Sequence, residues 1–200
     1  MTEQPTVAIQ VSAARASGGP FGRHVVLLGL MGTGKTAVGT QLASALRVRL
    51  DDNDSRLAAS SGLTPRELRN RDGVSVLHSL EAEHLLGALR SPTPGVVSAA
   101  ASVVENSACR AALCDREICA VWLRVHPSTL AARFHREAHR PIYSDDLQGF
   151  FDNQLAARGP LFQQVSDVVI DTDGLSVAEV VELVLPIADQ HLVTSRRPAG

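Results

Sequence analysis

Lysine is almost absent from this 200-residue chain, although positive charge is not. The chain has 19 Lys and Arg residues, and Lys35 is the single lysine, so 18 are arginine. Acidic residues number 21, and the formal net charge of −2 provides no general basic surface. Nucleic acids and anionic membranes attract strongly basic proteins. We therefore expect neither a nucleic acid nor a membrane as a partner.

Long apolar segments and a disulfide or zinc pattern are also missing. No apolar run approaches the roughly 18 residues that cross a bilayer. The N-terminal segment lacks the basic start and apolar stretch of a secretory signal. The three cysteines, Cys109, Cys114 and Cys119, match no common zinc spacing and are typical of free thiols in a reducing compartment. We expect a cytoplasmic protein and a monomer.

The single lysine lies in the most specific motif of the chain. Residues 29–36 read GLMGTGKT and fit the phosphate-binding P-loop pattern G-x-x-x-x-G-K-[ST]. A short apolar run, 24–28, precedes the motif and a helical pattern, 35–46, follows it, which is the context that a P-loop requires. In such a loop backbone N–H groups bind phosphates, the lysine reaches the β and γ phosphates, and the hydroxyl of Thr36 can bind Mg²⁺. The predicted nucleotide contacts are Gly29, Met31, Gly32, Thr33, Gly34, Lys35, Thr36 and Ala37.

The rest of the sequence narrows the class of nucleotide-binding protein. GTPases commonly recognise guanine through an Asn-Lys-x-Asp motif. This chain cannot contain that motif, because its single lysine lies in the P-loop. The chain has no ABC signature and is too short for an AAA+ module. Small ATP-dependent kinases of nucleotides or metabolites remain.

Alternation of strands and helices predicts a three-layer αβα fold with a five-stranded parallel sheet. The predicted strands are 24–28, 48–50, 95–98, 118–125 and 168–171. Helices are predicted at 35–46, 74–89, 105–113, 127–134, 147–165 with a break near Gly159 and Pro160, and 176–187. We expect a flexible N-terminal tail (1–22), one kinase domain (23–190) with a lid at about 134–147, and a C-terminal tail (191–200).

Three segments follow predicted strands at their carboxyl ends, where open parallel sheets bind ligands. They are the P-loop, the acidic segment 52–54, and the segment 98–102. We expect them to line one cleft.

The order of motifs resembles the shikimate kinase family over about residues 25–185. The phrase GLMGTGKTAVG is very close to the P-loop of that family. The segment 52–54 (DND) resembles its D-T-D element, 140–141 its R-P lid motif, 158–162 (RGPLF) its R-A-P-L-Y motif, and 169–173 its last strand and the loop near adenine. The resemblance implies a nucleoside-monophosphate-kinase type of fold and transfer of the γ-phosphoryl group of ATP, with Mg²⁺, to a hydroxyl of a small polar metabolite.

The resemblance also implies roles for individual residues. Asp52, with Thr36, would hold Mg²⁺, and Asp54 would bind acceptor hydroxyls and act as the base. Arg140 would neutralise charge on the transferred phosphoryl group, and Arg133 would contact the nucleotide. Arg158 would bind the carboxylate of the acceptor. The alternatives are a helix cap for either aspartate and a surface charge for each arginine.

Two departures from the family lie in the expected acceptor site. The family has a Gly-Gly-Gly run where this chain has Ala99, Ala100 and Ala101, whose methyl groups narrow the pocket and disfavour positive φ. The family also has a carboxylate-binding arginine where this chain has His78, which lacks the planar fork. Loss of such a contact costs about 2–5 kcal/mol. Three functions therefore remain open: a shikimate kinase with a modified site, a related kinase for a different polyol or hydroxy acid, and a nucleotide-binding sensor with little transfer activity.

Overall fold

A computed structural model describes residues 8–11, 23–136 and 146–195. They contain one six-stranded sheet with the strand order β1-β6-β5-β2-β4-β3. Five strands are parallel, and β1 pairs antiparallel with β6 at one edge. The strands are β1 (Ile9–Val11), β2 (His24–Leu28), β3 (Arg49–Asp52), β4 (Gly95–Ser98), β5 (Ile118–Arg124) and β6 (Val168–Asp171).

Helices cover both faces of the sheet and produce the predicted three layers. One face packs against α1 and α8, and the other packs against α4, α5, α6 and α7. The helices are α1 (Lys35–Leu46), α2 (Asn53–Ser61), α3 (Pro65–Asp72), α4 (Val74–Leu89), α5 (Ser107–Leu113), α6 (Pro127–Arg136), α7 (Leu147–Val165) and α8 (Val177–Ser195). A short 3-10 helix, Ala101–Glu105, follows β4.

The structure differs from the sequence prediction in its first strand and in α7. The five predicted parallel strands are confirmed, but Ile9–Val11, which we assigned to a loose tail, adds a sixth strand. The predicted break near Gly159 and Pro160 is wrong, because α7 continues through both residues. A proline in a helix removes one hydrogen bond, and the apolar residues on either side, Leu155 and Phe162, pack against the core.

The last helix and the lid can be compared with their predicted boundaries only in part. Helix α8 ends at Ser195, beyond the predicted limit of 187 for this helix. Residues 137–145, which form most of the predicted lid and include Arg140, lie outside the described residues. Within the described part of the chain, no helix is both long enough and apolar enough to cross a membrane.

Helix α7 is anchored to the sheet by a contact between two aromatic rings. Phe162 is fully buried, and its ring stacks on that of Trp122 in β5 with 5.4 Å between centroids. Phe151, also in α7, is buried against Phe134 of α6. These contacts hold α7 beside the carboxyl ends of the strands, where Arg158 lies.

We predict that Phe162→Ala lowers the free energy of unfolding by about 3–5 kcal/mol, because it leaves a cavity under α7. The exposed neighbour Gln163 provides the control, and Gln163→Ala should change stability by no more than about 0.5 kcal/mol. Urea denaturation followed by circular dichroism measures both values. Equal stability of the two variants would contradict this account of how α7 is anchored.

Candidate active site

The P-loop lies between β2 and α1, and its backbone requires glycine. Gly29, Gly32 and Gly34 have φ values of 145°, 85° and 90°, a region that side chains disfavour. A Cβ atom on Gly29 would lie 2.7 Å from the carbonyl oxygen of Leu123. The glycines therefore let the loop turn against β5 and lead into the N-terminus of α1.

Lys35 is partly buried at the first position of α1 and turns back onto the loop. Its Nζ donates to the carbonyl oxygens of Gly29 and Leu30, both at 2.9 Å. Burial lowers the pKa of Lys35 to about 8, although the nearby carboxylates of Asp54, Asp52 and Glu81 counteract part of this shift. The lysine thus has protein partners in this structure and a weakened hold on its proton.

Asp52 links the end of β3 to the P-loop. Its Oδ2 accepts from the Thr36 hydroxyl at 2.9 Å, and its Oδ1 accepts from the backbone N–H and the hydroxyl of Ser55. Burial alone would raise the pKa of Asp52, but these hydrogen bonds, with one from Ser98, lower it. Asp52 is therefore both the N-cap of α2 and an ionised oxygen donor beside Thr36.

Asp54 lies two residues further on, in the first turn of α2, and lines the same cleft. Burial and the negative charge of Asp52 raise its pKa, and the positive charge of Lys35 opposes the shift. A carboxylate with a raised pKa accepts protons more readily than an ordinary aspartate.

Hard oxygen donors are available here for a magnesium ion. The Thr36 hydroxyl and the Asp52 carboxylate adjoin each other, and Mg²⁺ prefers a few such oxygens together with water and phosphate. In the described residues, no group of three or more His, Cys, Asp and Glu side chains could hold a metal ion. The donor set fits Mg²⁺ bound together with a nucleotide.

Glu81 is a further acidic residue of the cleft, and we did not predict it from the sequence. It lies in α4, is 7% exposed, and accepts a hydrogen bond from the hydroxyl of Ser102. Burial raises its pKa to about 7. The sequence did contain a signal for Glu81. The residue lies four positions from both Leu77 and Leu85, on the buried face of α4.

Arg158 lies on the opposite wall, where it is already paired with protein groups. Its Nε donates to Oε1 of Glu105 at 2.8 Å, and its Nη1 donates to Gln154 one turn earlier in α7. His78 approaches the same carboxylate, with 3.5 Å between its Nδ1 and Oε2 of Glu105. Burial lowers the pKa of His78; Glu105 raises it, and Arg158 and Arg69 lower it.

The alanines that replace the glycine run of the family adopt ordinary backbone geometry. Ala100 has φ −63° and precedes the 3-10 helix that begins at Ala101. Among the described non-glycine residues, positive φ occurs only at Arg47. The expected backbone penalty is therefore absent, and the methyl groups act only by occupying space in the cleft.

These residues line one cleft of about 710 Å³ at the carboxyl ends of β2, β3 and β4, as predicted. Arg133 lies beside it and donates to the carbonyl oxygen of Gly32 at 3.2 Å. The lining includes predicted and unpredicted residues: Met31, Gly32, Gly34, Lys35, Thr36, Ala37, Asp52, Asp54, His78, Ala100, Ala101 and Arg158, together with Arg66, Arg69, Glu81 and Phe150. Arg66 and Arg69, both from α3, are further residues that we did not predict.

We predict a pH-dependent stabilisation by Glu81→Gln. Because the folded protein holds the Glu81 proton more tightly than the unfolded chain does, this residue reduces the free energy of unfolding as pH rises from 4.5 to about 7. Glutamine cannot ionise. The stability of the variant relative to wild type should therefore be greater at pH 8 than at pH 5, by about 1–3 kcal/mol.

The control is Glu83→Gln, in the same helix but exposed. Urea denaturation of wild type and both variants at the two pH values measures the six stabilities. If the difference in stability between Glu81→Gln and wild type were the same at pH 5 and at pH 8, as is expected for Glu83→Gln, the assignment of a raised pKa to Glu81 would be wrong.

Comparisons with known proteins show the family of this chain. A family model described as shikimate kinase matches residues 31–188. The shikimate kinase of Corynebacterium efficiens is 32% identical over 162 residues, covering 80% of this chain and 94% of the relative, and that of Bordetella pertussis is 31% identical, covering 84% and 79%.

The crystal structure of shikimate kinase from Bacteroides thetaiotaomicron has a TM-score of 0.73 at 26% identity and covers 83% of this chain and 98% of that one. A shikimate kinase from Acinetobacter baumannii, solved with shikimate, shares the fold with a TM-score of 0.77 at 22% identity, covering 83% and 92%. The chain belongs to the shikimate kinase family.

Proposed function

We propose that this protein transfers the γ-phosphoryl group of ATP to a hydroxyl of shikimate, forming shikimate 3-phosphate and ADP. The observation that carries the proposal is one cleft lined by a P-loop, the carboxylate of Asp54 and the guanidinium of Arg158. Membership of the shikimate kinase family favours this acceptor over another polyol or hydroxy acid. It also favours an enzyme over a nucleotide sensor.

The nucleotide binds along the P-loop in this proposal. Backbone N–H groups of the loop and the N-terminus of α1 bind the phosphates. Lys35 exchanges its two carbonyl partners for oxygens of the β and γ phosphates, whose negative charge restores the affinity of the lysine for its proton. Arg133, held at the carbonyl of Gly32, contacts the nucleotide from α6.

Thr36 and Asp52 would hold Mg²⁺ together with the nucleotide. When bound there, the ion would supply positive charge that offsets the charge of the phosphates. The low pKa of Asp52 keeps its carboxylate ionised for this purpose across the neutral range.

Asp54 binds the acceptor hydroxyl and accepts its proton. The hydroxyl oxygen forms a bond to the γ-phosphorus while the bond from that phosphorus to the bridging oxygen breaks, and ADP leaves with the electron pair. The raised pKa of Asp54 supports this role, because burial and the charge of Asp52 favour its protonated form. Arg140, which lies outside the described residues, is proposed to neutralise charge on the moving phosphoryl group.

Arg158, His78, Ala100 and Ala101 form the acceptor half of the cleft, with Glu81 at its buried end. In this proposal they surround the ring and the carboxylate of shikimate. One chain supplies both halves of the cleft, so we propose that a monomer is active. The three free thiols suit the reducing cytoplasm as the place of reaction.

We predict that shikimate stimulates ADP release from ATP and Mg²⁺ in a saturable manner, with shikimate 3-phosphate as the product. A coupled assay for ADP and mass spectrometry of the product measure this activity. Tight ATP binding without stimulation by shikimate would contradict the proposed acceptor and would favour a nucleotide sensor.

We also predict that Lys35→Met lowers kcat by at least about 10³-fold, because the γ-phosphoryl charge loses its fixed positive partner. The fold should remain intact, since methionine retains much of the apolar length of the lysine chain. Arg90→Met removes an exposed positive charge outside the cleft and is the control. Equal activity of the two variants would overturn the assignment of the P-loop.

A further inference from the structure

His78 gives the acceptor half of the cleft a side chain whose charge can change near neutral pH. It lies in α4, lines the cleft, and has its Nδ1 3.5 Å from Oε2 of Glu105. The ordinary pKa of an imidazole places its change of charge between about pH 5 and 8. An arginine, which the family resemblance leads us to expect at this position, is charged at every such pH. Position 78 of this chain can therefore be charged or neutral, depending on its surroundings.

Glu105 lies behind His78 as seen from the cleft. It does not line the cleft itself, but its carboxylate contacts two residues that do, His78 and Arg158. Its neighbour Val104 is fully buried, and Arg110 donates from α5 to the carbonyl oxygens of Val104 and Glu105, at 2.7 and 3.0 Å. These contacts hold the backbone of Glu105 in place. One carboxylate therefore supports both the histidine and the arginine of the acceptor half.

The two nitrogens of the His78 ring have different roles in this arrangement. Nδ1 faces Glu105, so Nε2, on the other side of the ring, is the nitrogen left for a ligand. A neutral ring that carries its hydrogen on Nδ1 can only accept a hydrogen bond at Nε2, whereas both nitrogens of a charged ring donate. An ionised carboxylate has acceptors only. The carboxylate of an acceptor can therefore bond to Nε2 only when the ring has gained a proton.

The charges around His78 come from three other elements of the fold. Burial lowers the pKa of His78, Glu105 of the 3-10 helix raises it, and Arg158 of α7 and Arg69 of α3 lower it. Glu81, one turn later in α4, is bound to Ser102. Before an acceptor binds, these influences together favour the neutral ring. A second carboxylate beside the ring would oppose the two arginines and favour the charged form.

We propose that His78 takes up a proton when the carboxylate of the acceptor binds, and that Glu105 stabilises the charged ring from behind. The proton comes from water, binds to Nε2, and returns to water when the product leaves. The inference rests on the proposed function and names the group that makes affinity for an anionic acceptor depend on pH. The proton and the carboxylate strengthen each other's binding to the same extent. A rise in pH above the pKa of the free His78 ring therefore weakens the binding of shikimate.

Calorimetry in buffers of different ionisation enthalpy counts the protons that enter the enzyme, saturated with ADP and Mg²⁺, as shikimate binds. The difference in uptake between wild type and His78→Gln isolates the histidine, because Glu81, whose pKa is about 7, titrates in both. This difference should pass through a maximum of up to about one proton between about pH 5.5 and 8.5. His84→Gln is the control and should match wild type, because His84 lies in the same helix but does not line the cleft.

Steady-state kinetics provides a second measurement, which does not require His78→Gln to bind shikimate. Above the pKa of the free His78 ring, the KM of wild type for shikimate should rise by up to about tenfold per pH unit relative to that of His78→Arg, whose guanidinium stays charged. Glu105→Gln keeps an oxygen for Arg158 and removes the negative charge behind the ring. Its maximum of proton uptake should therefore lie at lower pH than that of wild type, a change that a purely structural role of Glu105 would not produce.

The outcomes separate this inference from the proposed function. If wild type phosphorylates shikimate but its KM has the same pH dependence as that of His78→Arg, the inference is wrong and the proposed function stands. Equal proton uptake by wild type and His78→Gln at every pH would also overturn the inference. A maximum at the same pH in Glu105→Gln and wild type would overturn the role of Glu105. No turnover of shikimate by wild type would overturn the proposed function and, with it, the inference.

Discussion

The balance of charge around Lys35 is the constraint on which the cleft depends. A buried ammonium group is costly unless carboxylates compensate it, and three approach it here: Asp54, Asp52 and Glu81. Asp52 lies at the end of β3, Asp54 at the start of α2 and Glu81 in the middle of α4. These elements therefore converge on one partly buried positive charge, at the end of the sheet where the P-loop begins α1.

The nucleotide half was predictable from the sequence because its residues are close together along the chain. The P-loop is a contiguous motif, and the glycines and Thr36 follow from it directly. Asp52 follows a strand that pairs in register with β4, so its position at the sheet edge required only the parallel topology. Local sequence and one topological rule were sufficient there.

The acceptor half was less predictable, because it is assembled from four separate helical segments. Glu81, Arg69, Glu105 and Arg158 come from α4, α3, the 3-10 helix and α7, and their proximity depends on how these helices pack. Comparing single positions with a family motif finds the replacement at His78. It does not find the cleft residues that other helices contribute, such as Glu81. The sixth strand was missed for a similar reason, since three residues pair with β6 only once the sheet exists.

This difference between the halves has a physical consequence for how the acceptor site can change. In the P-loop, a single methyl group on Gly29 would collide with the backbone of β5, so the geometry of the loop tolerates little variation. In the acceptor half, side chains from several helices line one shared volume, so no single contiguous loop fixes them. Ala100 illustrates this tolerance, because it replaces glycine without strain at φ −63°. Single side chains of the acceptor half can therefore change without strain in the backbone, whereas the glycines of the P-loop cannot.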